Sequence, residues 1–415
     1  MARITSDQDV IFFDGDLNPG DYRFVSSVFY RVAKKRGYGE ITLNFNECSA
    51  AFPNVMTGLC ALCCNYRAEG VTFLFRAPND PKLRNLFYSA NWAHFINPEE
   101  FPRDKYVSER HVPAFAFEDV AGATAAHTAI MRAILASLPA LSRNSLRALE
   151  WCIWEITDNV VTHSLSRTGG IVQVLTVPGR SRRVQITVAD TGIGIPRSFK
   201  SSSLRIKNDA HALELAIQEG VTSKPQNQGN GLYDAFRLAF ESQQRFSLDS
   251  GLARLDLDRG NVSATQAHFP VPGTVISLGI DTGVPDLLEK ALKFKEAKTV
   301  FANDFIEKNI ETDDGSNIFC IKEQVISIGS RDAGTGIRNK IMNILNMIGE
   351  SRLTIDFTDI SIVSSSFADE VFGKLCLQMG ILQFMSRIKI TNIDSTVKAL
   401  LDRAIQRRVS QGTLE

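Results

Sequence analysis

Apolar and polar positions alternate with two different periods along this chain, and the switches between them divide it into three regions. In the first, residues 1–112, apolar runs of strand character at 10–13, 41–45 and 71–75 are separated by helix-like stretches at 22–35, 53–67 and 81–95. Strands alternating with helices predict a small α/β layer structure. The stretch 97–112 is rich in charge and proline and reads as a connector. The second region, 113–283, opens with two helical patterns at 121–138 and 142–164, followed by strands at 171–177 and 184–189. A glycine-containing loop, a polar stretch at 200–230, a second glycine cluster and a helix at 232–241 come next, and strands at 254–257 and 274–280 close the sheet. The polar stretch is long for a connection, and long connections over a site often act as lids.

A charged helical linker at 284–310 leads to the third region, 311–415. It alternates again, with strands expected at 324–328, 352–357 and 388–391 and helices at 336–349, 367–379 and 395–408. Its layout resembles that of the first region. ITLNFNECSAAFPNVMTGL, from Ile41, and LTIDFTDISIVSSSFADEVFGKL, from Leu353, each read as a strand, a short loop and a helix, which points to a diverged internal duplication.

Composition changes this picture little. A length of 415 residues, at roughly 150 per domain, gives two or three domains. The 46 basic and 46 acidic side chains cancel, so nucleic acid is not indicated as a partner and an anionic membrane has no global attraction. No apolar run approaches the roughly 20 residues that span a bilayer. The N-terminus, MARITSDQDV, lacks the charged-then-apolar pattern of a secretory leader, and the expected location is the cytoplasm. Seven cysteines, an odd number in mostly apolar settings, agree with a reducing compartment. Cys60, Cys63 and Cys64 could suggest a metal or redox site, but MTGLCALCC has the look of an apolar helix side, and no second ligand pair follows at zinc-finger spacing.

The candidate chemistry lies in the second region. Leu146, Leu149, Cys152, Ile153, Ile156 and Val160 recur at helical spacing and predict a core-facing stripe. Glu155, Asn159 and His163, four apart, stack along another face of the same helix. A carboxylate can accept a proton and an amide oxygen suits a hard magnesium ion, although polar residues at this spacing also make ordinary solvated faces. In VQITVADTGIGIP a strand ends at Asp190, followed by Gly192 and Gly194. An Asp held there could read an exocyclic amine such as that of adenine; a plain Asp-Thr-Gly turn is the simpler alternative. Gln228-Gly229-Asn230-Gly231-Leu232 opens a helix, where free N–H groups and the helix dipole favour phosphate. Pro272-Gly273-Thr274 enters the last strand.

Taken in order, ExxxNxxxHS, DTGIGI, a polar lid, GNGL before a helix and GT before a strand resemble the GHKL ATPase superfamily, which includes histidine kinases, anti-sigma serine kinases, Hsp90, MutL and gyrase B. The resemblance covers about 113–283. It implies a central Bergerat-type α/β sandwich that holds ATP and Mg2+ between helices and a mixed sheet. On this resemblance Glu155 is the general base, Asn159 the magnesium ligand, and His163 lies near the phosphates. Asp190 binds the adenine amine, Gly192 and Gly194 shape the base pocket, and Thr274 assists at the adenine. Gly229, Asn230, Gly231 and Leu232 hold the phosphates, with Lys224 in the lid as a further contact by its charge. The second glycine box is shorter than in many members, and no histidine followed by Glu and Thr-Pro precedes the helix, which argues against an ordinary sensor histidine kinase.

The third region resembles the STAS-like family found beside such ATPases, through the segment Arg331 to Asn339, the strand at Ile355 to Phe357, and Ser364-Ser365-Ser366-Phe367-Ala368-Asp369-Glu370. Related antagonist domains carry a phosphorylated serine at this strand-to-helix corner. Ser365 and Ser366 occupy the equivalent stretch; capping of the helix expected from Phe367 is their ordinary role, and phosphoacceptor the functional one. The first region, read as a further STAS-like domain, has Cys48-Ser49-Ala50-Ala51-Phe52 in that place. The whole reads as an α/β protein with a central GHKL domain between N-terminal and C-terminal STAS-like domains. The expectation is a bacterial regulator with slow ATPase or serine-kinase activity that signals to a protein partner through the STAS-like domains, and homodimerisation follows from analogy with GHKL relatives. The alternative is a non-catalytic, nucleotide-gated interaction module, as in an anti-phage or toxin-type system.

Overall fold

The computed structural model describes residues 2–103, 112–177, 182–202, 204–221, 231–292, 304–324 and 329–412. The chain forms two compact units, one of Met1–His127 and Trp151–Phe294, the other of Thr128–Glu150 and Lys295–Glu415.

The first unit begins with strands β1 (Arg3–Asp7) and β2 (Val10–Leu17), helix α1 (Tyr22–Phe29, running on as a π turn Tyr30–Lys35), β3 (Glu40–Asn44), β4 (Cys48–Ala51), α2 (Pro53–Ala68), β5 (Thr72–Arg76), α3 (Pro81–Ser89) and α4 (Trp92–Ile96). The strand order is β1-β2-β3-β5, with β4 pairing the far end of β2. β1 and β2 are antiparallel, whereas β2, β3 and β5 run parallel. Buried Phe13 and Phe45 stack on this sheet with ring centroids 4.3 Å apart. Cys60 and Cys63 are fully buried on α2, and burial pushes both thiols well above their usual range.

Next come β6 (Phe115–Phe117), α5 (Val120–Ser137), α6 (Arg143–His163), β7 (Gly170–Val177), β8 (Arg183–Asp190), α7 (Ile195–Lys200), α8 (Asp209–Ala216), α9 (Gly231–Glu241), β9 (Phe246–Asp258) and β10 (Asn261–Asp281). These strands form a second sheet in the order β6-β7-β8-β10-β9. Every neighbouring pair is antiparallel, where a mixed sheet was implied. β8 and β9 are nonetheless parallel to each other with β10 between them, so the segment carrying α7, α8 and α9 crosses over the sheet. β9 and β10 are longer than the pattern predicts. Their hairpin turns at Arg259 and Gly260, whose φ values of 50° and 81° suit the tight turn that matches strand twist. The polar run SATQAHF on β10 hides that strand from a hydrophobicity count.

One core joins the two sheets: Tyr22, Val25, Met56 and Leu59 of α1 and α2 cluster with Ile171, Ala189, Val271 and Val275 of the second sheet. Polar contacts fix the join. Buried Gln173 of β7 accepts from Trp92 Nε1 at 2.8 Å and from Thr57 Oγ1 at 3.3 Å. A buried amide with its partners in place specifies one register, because any slip leaves those groups unpaired.

The chain continues through α10 (Leu287–Leu292), α11 (Phe305–Asn309), β11 (Asn317–Cys320), the single turn α12 (Ile321–Gln324), α13 (Arg331–Met347) and β12 (Leu353–Asp356). It ends with α14 (Ser365–Ala368, a π turn Asp369–Gly373, and Lys374–Met379), α15 (Ile381–Arg387), β13 (Ile388–Thr391) and α16 (Ser395–Gln411). β11, β12 and β13 form a parallel sheet in sequence order. Its first strand is thus Asn317–Cys320 and not 324–328: Gln324 belongs to the helical turn, and 325–328 lie outside the described residues. Four residues are too few for a period of two to show. The second unit also contains a buried Asn343, whose Nδ2 donates to the carbonyls of Leu135 and Leu138 and whose Oδ1 accepts from Leu141 N. That one side chain satisfies the open end of α5.

Candidate functional site

Helix α6 sets the frame. Its stripe of Leu146, Leu149, Cys152, Ile153, Ile156 and Val160 is buried as the spacing predicts. Glu155 and Asn159 are half-buried, and half-buried His163 ends the helix. The Glu155 carboxylate lies against the first turn of α9. A Cβ on Gly231 would stand 2.2 Å from Glu155 Oε2, so a glycine there lets the helix start come this close. Burial, then the charges of Asp234 and Asp158, raise the Glu155 carboxyl to about 7. Asp234 lies in the first turn of α9 and accepts from Trp151 Nε1 at 3.3 Å; burial raises it to about 6. A carboxyl near 7 is matched to taking up a proton at physiological pH.

The Asp190 turn is built by close backbone approach. Asp190 is 4% exposed at the end of β8, paired across the sheet with Thr274 on one side and Gly170 on the other. Its Oδ1 accepts from Gly192 N at 2.7 Å. Burial raises its carboxyl to about 7, against the lowering effect of the Gly192 and Thr274 N–H groups. A Cβ on Gly192 would meet the Ser164 carbonyl at 1.9 Å, and that carbonyl accepts from Ile193 N at 2.7 Å. The end of α6 is thereby tied to the turn. Gly194 (φ 73°) abuts Ser250 and Gly273, and Gly273 (φ 65°) abuts Asp190. Ser250 Oγ joins these strands: it donates to Gly273 O at 2.8 Å, accepts from Ile195 N at 2.9 Å and lies 3.2 Å from Thr274 Oγ1.

The expected site residues Glu155, Asp190, Gly192, Gly194, Gly231 and Thr274 therefore belong to two connected clusters, one at each end of the lower half of α6. Leu232, next to Gly231, packs on a small apolar cluster of Phe199, Ala212 and Ala216 from α7 and α8. Lys224, Gly229 and Asn230 lie outside the described residues. Sequence reading missed Ser250, Asp234 and Trp151. Ser250 is revealed only by its pairing with Thr274 across the sheet. Asp234, three residues after Gly231, looks like an acidic residue complementing a helix N-terminus.

The Asp190 turn holds a buried hydroxyl and a buried carboxyl side by side. Thr191 Oγ1 is buried in the Asp190 turn with no hydrogen-bond partner among the described residues, and buried hydroxyls in native structures are normally satisfied. Beside it stands a buried carboxylate able to accept from an exocyclic amine. Among the described residues, no group of three or more His, Cys, Asp or Glu side chains converges to hold a metal.

In the C-terminal region, Ser364 caps α14, accepting from Phe367 N at 3.0 Å. Ser365 and Ser366 are exposed in the first turn, and the capping bond is made by their neighbour. α14 packs on α13 through buried Glu370, which pairs with Arg338 at 3.0 Å and Lys374 at 2.9 Å and accepts from Thr335 Oγ1. Arg408 of α16 grips Asp369 with two bonds of 2.7 Å. The paired segments around Arg331 and Glu370 thus meet in one three-helix junction beside the parallel sheet.

This region is an α/β domain built on a parallel sheet. Residues 333–398 match the STAS-like domain of unknown function (DUF4325). No curated protein and no solved structure matches the chain. No helix among the described residues is long and apolar enough to cross a membrane.

Proposed function

We propose that residues 113–283 form a GHKL-type domain that binds Mg-ATP and either hydrolyses it slowly or transfers its phosphoryl group to serine. The observation that carries this reading is the convergence of separated motifs: Ser164 at the end of α6, the Asp190 turn and the Gly273–Thr274 entry meet at one cluster, and Glu155 meets Gly231 at the other. Bound Mg-ATP supplies the transferable γ-phosphoryl group. Asp190 and Thr274 would select the base, Asn159 would hold the metal, and Gly231 and Leu232 would offer N–H groups of the α9 start to phosphate. Glu155, in its ionised form, takes the proton from the attacking water or serine hydroxyl. The carboxylates of Glu155 and Asp234 repel a bare polyphosphate, which supports a requirement for the cation. The C-terminal STAS-like domain, together with an N-terminal layer whose adjacent strands β2, β3 and β5 also run parallel, conveys the nucleotide state to a protein partner.

Incubation of the full chain with γ-labelled ATP separates the two chemistries. A serine kinase acting on itself leaves label on the protein, lost in the Ser365→Ala, Ser366→Ala double variant. An ATPase releases free phosphate and leaves the protein unlabelled. Absence of both labelled protein and free phosphate in the presence of Mg-ATP counts against turnover. Asn159→Ala is expected to weaken Mg-dependent ATP binding by about tenfold, read by calorimetry with and without magnesium. Equal affinity in the two proteins would remove Asn159 from the metal site.

A further inference from the structure

The base-binding cluster is held from behind by a residue of the N-terminal layer. Asp249 and Ser250 are consecutive on β9, so their side chains point to opposite faces of the sheet. Ser250 serves the Asp190 turn and Gly273. Asp249 faces α1, where its Oδ1 lies 2.9 Å from Arg23 Nε and its Oδ2 accepts from Arg254 Nη1 at 2.8 Å. Here the β9–β10 ladder is irregular: its register shifts between Gln266 and Val271, and again between Val271 and Thr274. Gly251 (φ 55°) and Gly273 (φ 65°) sit in these shifts. Such bulges leave backbone groups without ladder partners.

Arg23 supplies what the ladder lacks. Its Nη1 donates to the carbonyls of Gly251 on β9 and Phe269 on β10, both at 3.0 Å, and its Nη2 donates to the Ala253 carbonyl. The side chain is 13% exposed. One guanidinium therefore pins both strands of the bulge immediately before Gly273 and Thr274. Its rigid fork of donors suits several fixed carbonyls at once.

We infer that Arg23 is a positioning residue for base recognition, locking the β9–β10 bulge so that Gly273 and Thr274 face Asp190. This rests on the nucleotide-binding reading given above. It also makes the N-terminal layer part of the base site, since a displacement of α1 releases the bulge.

Calorimetry on the full chain with Mg-ATP, Mg-GTP and Mg-tripolyphosphate tests the inference. Arg23→Gln is expected to bind ATP about tenfold more weakly, the size of coupling that packed networks carry between neighbouring sites. ATP-over-GTP discrimination falls with it, and tripolyphosphate affinity stays that of the wild type. Arg23→Lys, which keeps the charge but has a single donor nitrogen in place of the guanidinium fork, recovers part of the ATP affinity and guards against a variant that fails to fold. Unchanged ATP affinity and discrimination in folded Arg23→Gln would overturn the inference, as would an equal loss for all three ligands, which marks a general loss of structure. A wild-type chain that binds neither nucleotide fails the nucleotide reading itself, a result distinct from either of these.

Discussion

Glu155→Gln is expected to lower phosphate release or transfer by about 10²–10⁴-fold, the usual contribution of a positioned general base, while Mg-ATP affinity stays within about threefold of the wild type. The substitution keeps the volume that packs against Gly231 and removes the carboxylate with its ability to take up a proton. The pH dependence gives a second, independent reading. The Glu155 carboxyl is raised to about 7 by burial and by Asp234 and Asp158, so below that pH it is largely protonated and idle as a base. Wild-type turnover therefore rises as pH increases through about 7, and the residual rate of Glu155→Gln shows no such rise. Rates measured by phosphate release from pH 5.5 to 8.5 check both points. Undiminished turnover in the variant would remove Glu155 from the chemistry. Loss of turnover with full biological activity would favour the gating-only module.

How much of this was legible beforehand depends on the range of the interactions. The α6 stripe, the Asp190 strand end and the start of α9 are local patterns, and the sequence shows them because periodicity and glycine placement are written in neighbouring residues. Ser250 and Arg23 are invisible at that level. Ser250 acts through a strand partner 24 positions away, and Arg23 through carbonyls more than 220 positions away. Backbone carbonyls carry no residue identity, so no motif records them. The polar face of β10 and the four-residue β11 failed for another reason: an exposed strand has no hydrophobic alternation, and a very short one has no period. The C-terminal serines illustrate a finer miss. Capping was read for Ser365 and Ser366, but the helix starts earlier and Ser364 takes the role, leaving the other two exposed.

Asp190→Asn is expected to abolish base selection and at the same time make the protein more stable at alkaline pH. Asp190 is raised from 3.8 to about 7, which means that the fold disfavours its ionised form. Below the unfolded value, both states are protonated and the carboxyl costs nothing. As pH rises from there through about 7, the unfolded chain ionises freely while the buried group is held back, and stability is lost. A shift of about three units corresponds to about 4 kcal/mol. Asparagine never ionises, but its amide NH2 replaces one acceptor oxygen next to the Gly192 and Thr274 N–H groups, which offsets about 1 kcal/mol. The variant is therefore expected to gain roughly 2–3 kcal/mol in unfolding free energy at pH 8 and to gain nothing at pH 4. ATP affinity falls by about 10–100-fold, because the amide no longer offers a charged acceptor to an exocyclic amine. Urea denaturation at the two pH values, paired with ATP titration, reads both effects. A variant destabilised at pH 8 would mean that the carboxylate is ionised for the sake of the fold. Stabilisation joined to lost binding identifies a buried charge kept against the interest of stability, and such a charge is explained by the ligand that it receives.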